Sequence, residues 1–433
     1  MRTATCCLLL ALAFLTSAVY GDNWPHWRGP NGNGIAPDAN PPTEWRTTKK
    51  IKWKVALTSH ENGSPIVWDD QVYVLATEEV EAGEKDELPK LAFNVISLDR
   101  GTGALRWKQT ATVTRPHQRV HNTTGYASNS PCTDGERLYA HFGSRGLYCY
   151  TMDGSLVWKR DDLGKMDILN NFGEGSSPTL EGDAIIIPWD HQGPSALWVL
   201  NKHNGETIWK IDREEPTGWA TPVVIEHQGR KQIVMNGQHS ARSYDLETGD
   251  ELWHCEGQTV RPICTPAVGD GLIYVCSGFQ GDYMGAYRFG GHGNIKGTDS
   301  VAWEFTPERG MCDMSSPLLV NGRLYFNSRK DSPVSCIDAD TGEPHYVSEQ
   351  IDGLRGTKIY SSPVAAGGYV FLTGVDGTTV VIREGDQLDI VATNSLEEFV
   401  GGTPAVVDDE LMIRGEKHMF CIKAAKSVAA GAQ

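Results

Sequence analysis

Runs of apolar, β-branched and aromatic residues recur along the chain, each short and set off by glycine, aspartate or asparagine. They are QVYVLA (71–76), RLYAHF (137–142), AIIIPW (184–189), QIVMNG (232–237), LIYVCS (272–277), RLYFNS (323–328), YVFLTG (369–374) and ELMIRG (410–415). Their length and alternation predict strands, and no sustained 3.6-residue period follows the first twenty residues. Each run comes shortly after a small-residue opening that ends in proline, at Pro65, Pro131, Pro178, Pro222, Pro266, Pro317, Pro363 and Pro404. These openings are 66, 47, 44, 44, 51, 46 and 41 residues apart. A near-constant period of this length marks a repeat architecture.

Each unit closes on a turn followed by tryptophan. Asp99, Thr102, Gly103 and Trp107 share their spacing with Asp245, Thr248, Gly249 and Trp253; Asn201, Gly205 and Trp209 repeat it, and Asp153, Gly154 and Trp158 keep part of it. Tyr346 takes the tryptophan position in IDADTGEPHY, Trp303 follows a degraded turn, and around Val391 the aromatic is lost. Asp and Thr side chains bond the turn backbone, glycine supplies positive φ, and tryptophan is a large apolar body to bury. A unit is therefore a four-stranded meander. The eighth, opening at Pro404, lacks its fourth strand, while IKWKV (51–55) with Trp53 is a closing strand without a beginning. Pairing the first strand into the last unit removes the free edge that would template aggregation. The prediction is all-β: an eight-bladed β-propeller of four-stranded antiparallel blades over 44–425, after an irregular Trp/Pro/Gly-rich segment (22–43) and before a short tail (426–433).

Composition fits this picture. The 47 glycines, about 11% of the 433 residues, exceed the usual ~7% and suit strands joined by tight turns. Residues 1–21 read as a secretory signal, with Arg2, an apolar run from Leu8 to Leu15 too short to span a bilayer, and small residues up to Gly21. A soluble, exported protein of the periplasm or extracellular space follows, not membrane-spanning and monomeric as a closed ring. Without the signal, 38 cations face 55 acids, a balance that disfavours nucleic acid and anionic membrane as partners. Eight cysteines remain, with no CxxC; export permits disulfides, spacing does not assign them, and buried small hydrophobes are the default. In DNWPHWRGPNGNGI, Trp24 and Trp27 are expected to plug or cap one face. The acidic stretch Glu78 to Lys90 reads as a solvated hairpin extension. His117 and His121 stand four apart, but Pro116 and the lack of helical pattern make them a polar loop.

The turn-plus-tryptophan repeat resembles that of pyrroloquinoline-quinone (PQQ) propellers, and WPHWRGPNGNG looks like the start of many secreted bacterial PQQ-like repeat proteins. The resemblance implies one of two activities. Quinoprotein dehydrogenases bind PQQ with calcium; BamB-like relatives are non-catalytic assembly scaffolds. The mature chain lacks the adjacent cysteine pair of many such dehydrogenases and any CxxCH haem site, and also lacks a lipid-anchoring cysteine after the signal. The favoured reading is an exported scaffold that binds a protein partner or envelope component without a cofactor. The alternative is a PQQ- and calcium-dependent dehydrogenase oxidising an alcohol or sugar. In that case the loops leading into the innermost strands supply the site. Arg261, Arg309 and Lys358 would hold the PQQ carboxylates and Trp219 would stack on the ring; Glu61, Glu174 and Asn171 would hold calcium, and Asp313 would act as general base. Loop ion pairs, turn chemistry and blade packing are the bland counterparts of each assignment.

Overall fold

The computed structural model describes residues 23–85, 87–308, 310–328 and 331–424. The signal, the tail (426–433) and Arg309 lie outside them. Within the described residues there is no α-helix, and eight sheets succeed one another in chain order, each a meander. Blade 1 comprises Ile66–Trp68, Gln71–Glu81, Lys90–Asp99 and Leu105–Thr114. Blade 8 comprises Ala405–Val407, Glu410–Arg414 and His418–Lys423, completed by Ile51–Ala56, which runs antiparallel to His418–Lys423. The first strand of the propeller is thus the outermost strand of its last blade. The protein is an eight-bladed β-propeller.

The innermost strands are held to one another by a device repeated in all eight units. Each opening proline is preceded by serine or threonine, and its backbone N–H donates to the hydroxyl of the equivalent residue in the next blade. Ser64 donates to Ser130 (2.9 Å), Ser130 to Ser177 (2.9 Å), Ser177 to Thr221 (3.1 Å) and Thr221 to Thr265 (2.9 Å). Thr265 then donates to Ser316 (2.9 Å), Ser316 to Ser362 (2.9 Å), Ser362 to Thr403 (3.0 Å) and Thr403 back to Ser64 (2.9 Å). The circuit closes on itself. Proline favours extended backbone in the residue before it and has no N–H of its own, so each opening enters its strand straight while the preceding N–H is free for the neighbouring blade.

The rim is held by a second repeated contact. The indole N–H of a blade's outer tryptophan donates to a backbone carbonyl of the next blade: Trp53 to Arg100 (2.8 Å), Trp107 to Met152 (3.1 Å), Trp158 to Lys202 (3.0 Å), Trp209 to Leu246 (2.9 Å) and Trp303 to Ala339 (3.0 Å). The indole lies on the glycine of that neighbour's turn. Gly205, at φ +74°, shows why: a Cβ there would come within 2.7 Å of the Trp158 ring. The turn itself is built by its aspartate, as where Asp99 Oδ1 accepts from both Thr102 N–H and Oγ1–H at 2.8 Å.

Where the repeat degrades, the packing changes. Blade 5 replaces the Asp–Thr–Gly turn with a longer glycine-rich connection, and its chain loops back so that Gly293–Asn294 adds a parallel strand to the outer edge of blade 4. Trp253 is covered there instead, 1% exposed, with its indole N–H unpartnered. The acidic stretch is part of the sheet: Glu78 to Glu81 continue the second strand of blade 1, with Glu81 opposite Lys90.

The segment after residue 22 is mostly irregular but well anchored. Trp24 exchanges two backbone hydrogen bonds with Val67 (2.8 and 2.9 Å), Pro25 accepts from Thr133 (2.8 Å), and Ile35–Ala36 pairs in parallel with Val364–Ala366 of blade 7. Arg28 is wholly buried and donates to Pro317 O at 2.7 Å. The segment thereby ties blades 1 and 2 to blades 6 and 7. A two-residue strand within it was not foreseen, because so short a pairing leaves no period in the sequence.

Two outcomes test these contacts. Ser130→Ala strands the buried Ser64 N–H and is expected to lower stability by about 1–3 kcal/mol, while Ser130→Thr, which keeps the acceptor, costs less. Gly205→Ala combines a left-handed backbone with overlap on Trp158 and is expected to cost about 2–3 kcal/mol. Urea midpoints of the purified variants check both.

Candidate functional site

The eight openings converge on one end of the channel, and the loops just ahead of them wall a cavity of about 410 Å³. Seven of the eight ring residues line it, all but Thr265, and Trp27 of the N-terminal segment joins them, its indole N–H 3.4 Å from Thr403 Oγ1. The rest of the wall mixes aromatic and apolar side chains, Phe172, Trp219, Ile263, Phe279, Met314 and Tyr360, with the polar Asn62, His121, Thr123, Thr124 and Ser128 and with Arg261, Lys358, Glu174 and Asp313. A volume of this size, mostly apolar with a few polar groups, suits a ligand or an inserted side chain.

Five residues singled out from the sequence thus share one cavity: Arg261, Lys358, Trp219, Glu174 and Asp313. Arg261 stands at φ +60°, with its backbone N–H on Gln238 Oε1 (3.2 Å). Its guanidinium carbon lies 4.6 Å from the centre of the Phe279 ring and 5.5 Å from that of Phe172. Such cation–π contacts hold the flat guanidinium while leaving its N–H groups for another acceptor. Among the described residues no carboxylate lies within ion-pair distance of Arg261 or of the exposed Lys358. Trp219 donates its indole N–H to Gly173 O at 2.8 Å and meets Phe172 edge-on at 6.1 Å. Asp313 is buried in the wall.

Glu174 lines the cavity, but its carboxylate is already engaged by the protein. Arg145 and the Ser144 hydroxyl donate to Oε1 at 2.8 and 2.7 Å, and the Ser144 N–H donates to Oε2 at 2.6 Å. Glu61 lies outside the lining and is 3% exposed, taking Thr77 Oγ1–H at 2.7 Å and the Ala127 N–H at 2.6 Å. Burial raises its carboxyl above the ordinary range, with Arg414 opposing. Asn171 is exposed, in a 3-10 turn, and also outside the lining. Glu61, Glu174 and Asn171 therefore do not converge, and the donor set does not fit a calcium ion. The cations and Trp219 do fit an anionic or flat partner. His117 and His121 bind no common point: His117 Nε2 meets Met166 O (2.7 Å) and His121 Nδ1 meets Thr123 Oγ1 (2.8 Å).

The aromatic clamp on Arg261 and the hydroxyl ring escaped sequence reasoning. Phe172 and Phe279 belong to different blades and share no repeat position. The ring left a signal, a hydroxyl residue before every opening proline, but read as part of a small-residue turn.

The family model described as outer membrane protein assembly factor BamB matches residues 92–344. The chain belongs to this family of PQQ-like repeat propellers. Among solved structures it is similar to BamB from Moraxella catarrhalis, at 14% identity over 82% of this chain and 98% of that one, with a TM-score of 0.55. It is also similar to quinohemoprotein alcohol dehydrogenase from Comamonas testosteroni, at 10% identity over 96% and 83% of the two chains, TM-score 0.66. A europium-containing methanol dehydrogenase gives 11% identity, 93% and 91% coverage and a TM-score of 0.62. At these identities the likeness is one of fold. No curated protein sequence matches significantly.

A pH-sensitive group lies behind the wall, against Glu174 and Trp219. Burial holds the His141 imidazole down at about 4, with a backbone contact to Ser176 opposing. An unfolded histidine titrates near 6.5. Between these values the unfolded chain binds the extra proton, so the stabilisation is complete above about pH 6.5 and is lost as pH falls through about 4. His141→Gln is expected to flatten this acid limb by up to roughly 3 kcal/mol, read as urea midpoints at pH 7, 5.5 and 4.5.

Proposed function

We propose that the protein is an exported, non-catalytic propeller that binds another protein or envelope component through the mouth of its central cavity. The observation that carries this reading is the mismatch of charges in the wall. Glu174 is satisfied by Arg145 and Ser144, while Arg261 and Lys358 have no carboxylate partner among the described residues. Cations held beside Phe172, Phe279 and Tyr360 suit a carboxylate carried next to an apolar side chain, as on an inserted loop of a partner. The BamB-type family match and the lack, among the described residues, of a helix long and apolar enough to cross a membrane accord with a peripheral role.

One observation favours a second reading, a quinoprotein dehydrogenase. Arg261, Lys358, Trp219 and Asp313 share one cavity, the arrangement an anionic quinone would use. Against it stands the calcium donor set, which does not converge.

The two readings part in a single pair of measurements. Purified protein with PQQ and calcium is expected to give no alcohol- or sugar-dependent dye reduction, and turnover would overturn the scaffold reading. A photo-crosslinker placed at Lys358 is expected to capture a discrete envelope protein, whose affinity falls at least about tenfold in Arg261→Glu at unchanged stability, the loss of one charge-assisted contact. An affinity unmoved by Arg261→Glu would place binding elsewhere.

A further inference from the structure

Behind the cavity wall, between blades 5 and 6, three cysteines meet. Cys276 lies in the second strand of blade 5 (Leu272–Ser277) and forms a disulfide with Cys312, 36 residues on, in the loop that leads into blade 6. Cys264 precedes the ring residue Thr265 and keeps its thiol, donating to Ser315 O at 3.2 Å and Cys312 O at 3.5 Å. All three Sγ atoms lie within 4.8 Å of one another, and each residue is at most 1% exposed. The other five described cysteines are buried thiols outside any such group. Asn236 Nδ2 donates to the carbonyls of both Cys264 (3.1 Å) and Cys276 (2.9 Å), so both backbones are pinned beside the sulfur group.

A thiol whose sulfur lies within 4.8 Å of both sulfurs of a disulfide can exchange with it once it loses its proton. Burial pushes the Cys264 thiol up and the nearby Asp313 carboxylate pushes it further, while the Arg28 guanidinium, interacting electrostatically with it, opposes both. Arg28 is itself fully buried, its Nε and Nη1 unpartnered, and desolvation lowers it to about 10. It is a cation held inside the protein beside a group that becomes an anion.

We infer that Cys264, Cys276 and Cys312 form an internal thiol–disulfide exchange site in which the disulfide moves between alternative pairs. The Cys264 thiolate attacks Cys312 Sγ, the Cys276–Cys312 bond breaks, and its electron pair goes to Cys276 Sγ, which takes up a proton equivalent to the one Cys264 released. The products are a Cys264–Cys312 disulfide and a Cys276 thiol, with no net oxidation and no external reagent. The consequence reaches the cavity. Cys264 adjoins Ile263 and Cys312 adjoins Asp313, both in the wall, so the Cys276 pairing ties the wall to a blade strand while the Cys264 pairing ties wall to wall. This inference is independent of what the cavity binds.

The test is peptide mapping of the oxidised, full-length protein after acid quench and alkylation under denaturing conditions. Wild type held at pH 8.5 is expected to accumulate a disulfide containing Cys264 over hours, and Arg28→Met to slow its appearance severalfold. Cys276→Ser, oxidised by dissolved oxygen in air-equilibrated buffer, is expected to form one disulfide, Cys264–Cys312, whereas Cys264→Ser shows Cys276–Cys312 alone. A wild type that keeps only Cys276–Cys312 through the pH 8.5 incubation overturns the inference, whether or not the variants fold. Two free thiols at Cys264 and Cys312 in folded, oxidised Cys276→Ser overturn it as well.

Discussion

A closed circuit of eight hydrogen bonds, one per blade, sets the geometry on which the other features depend. Each link spans two blades, from a backbone N–H to a hydroxyl whose own N–H serves the next link. A chain of this kind has no end to fray, and it fixes the innermost strands at a common level around the channel. Each buried N–H without its acceptor would cost about 1–3 kcal/mol, which gives every position the same demand for a small hydroxyl residue. Threonine meets it as well as serine does, and three of the eight positions carry threonine.

The rim obeys a different constraint. Tryptophan on one blade needs a glycine on the next, because only a residue without Cβ lets the indole lie against a turn while reaching a carbonyl beyond it. Between blades 4 and 5 the short Asp–Thr–Gly turn is replaced, and Gly291 together with an extra strand at Gly293–Asn294 covers Trp253. The ring therefore tolerates variation at its edge and almost none at its centre. That contrast explains why the inner hydroxyl persists in all eight units while the outer aromatic is replaced at Tyr346 and absent near Val391.

The cavity follows from both. Loops ahead of the ring residues all arrive at one end of the channel, so residues scattered from Trp27 to Thr403 become neighbours. Position in the repeat predicted that Arg261, Lys358, Glu174, Trp219 and Asp313 would face one another. It did not predict their states. Glu174 is spent on Arg145 and Ser144, Glu61 sits behind the wall with its carboxylate bonded to Thr77 and Ala127, and Arg261 is clamped between two phenylalanines. An ion's ligands must converge on a point, and a loop position four residues before a proline does not specify where a carboxylate tip ends.

Read alone, the residues determined the number of blades, the strand order within them, and the part that Trp53 plays as a closing strand without a beginning. Those follow from local physics, since strand period, turn chemistry and repeat spacing are properties of neighbouring residues. Tertiary structure decided the rest: which hydroxyl meets which N–H, that Ile35–Ala36 joins blade 7, which cations at the mouth have no carboxylate partner among the described residues, and that Cys264 lies within 4.8 Å of the Cys276–Cys312 sulfurs. These depend on distances between residues tens to hundreds of positions apart, which closure of the ring sets and the spacing of a repeat does not encode.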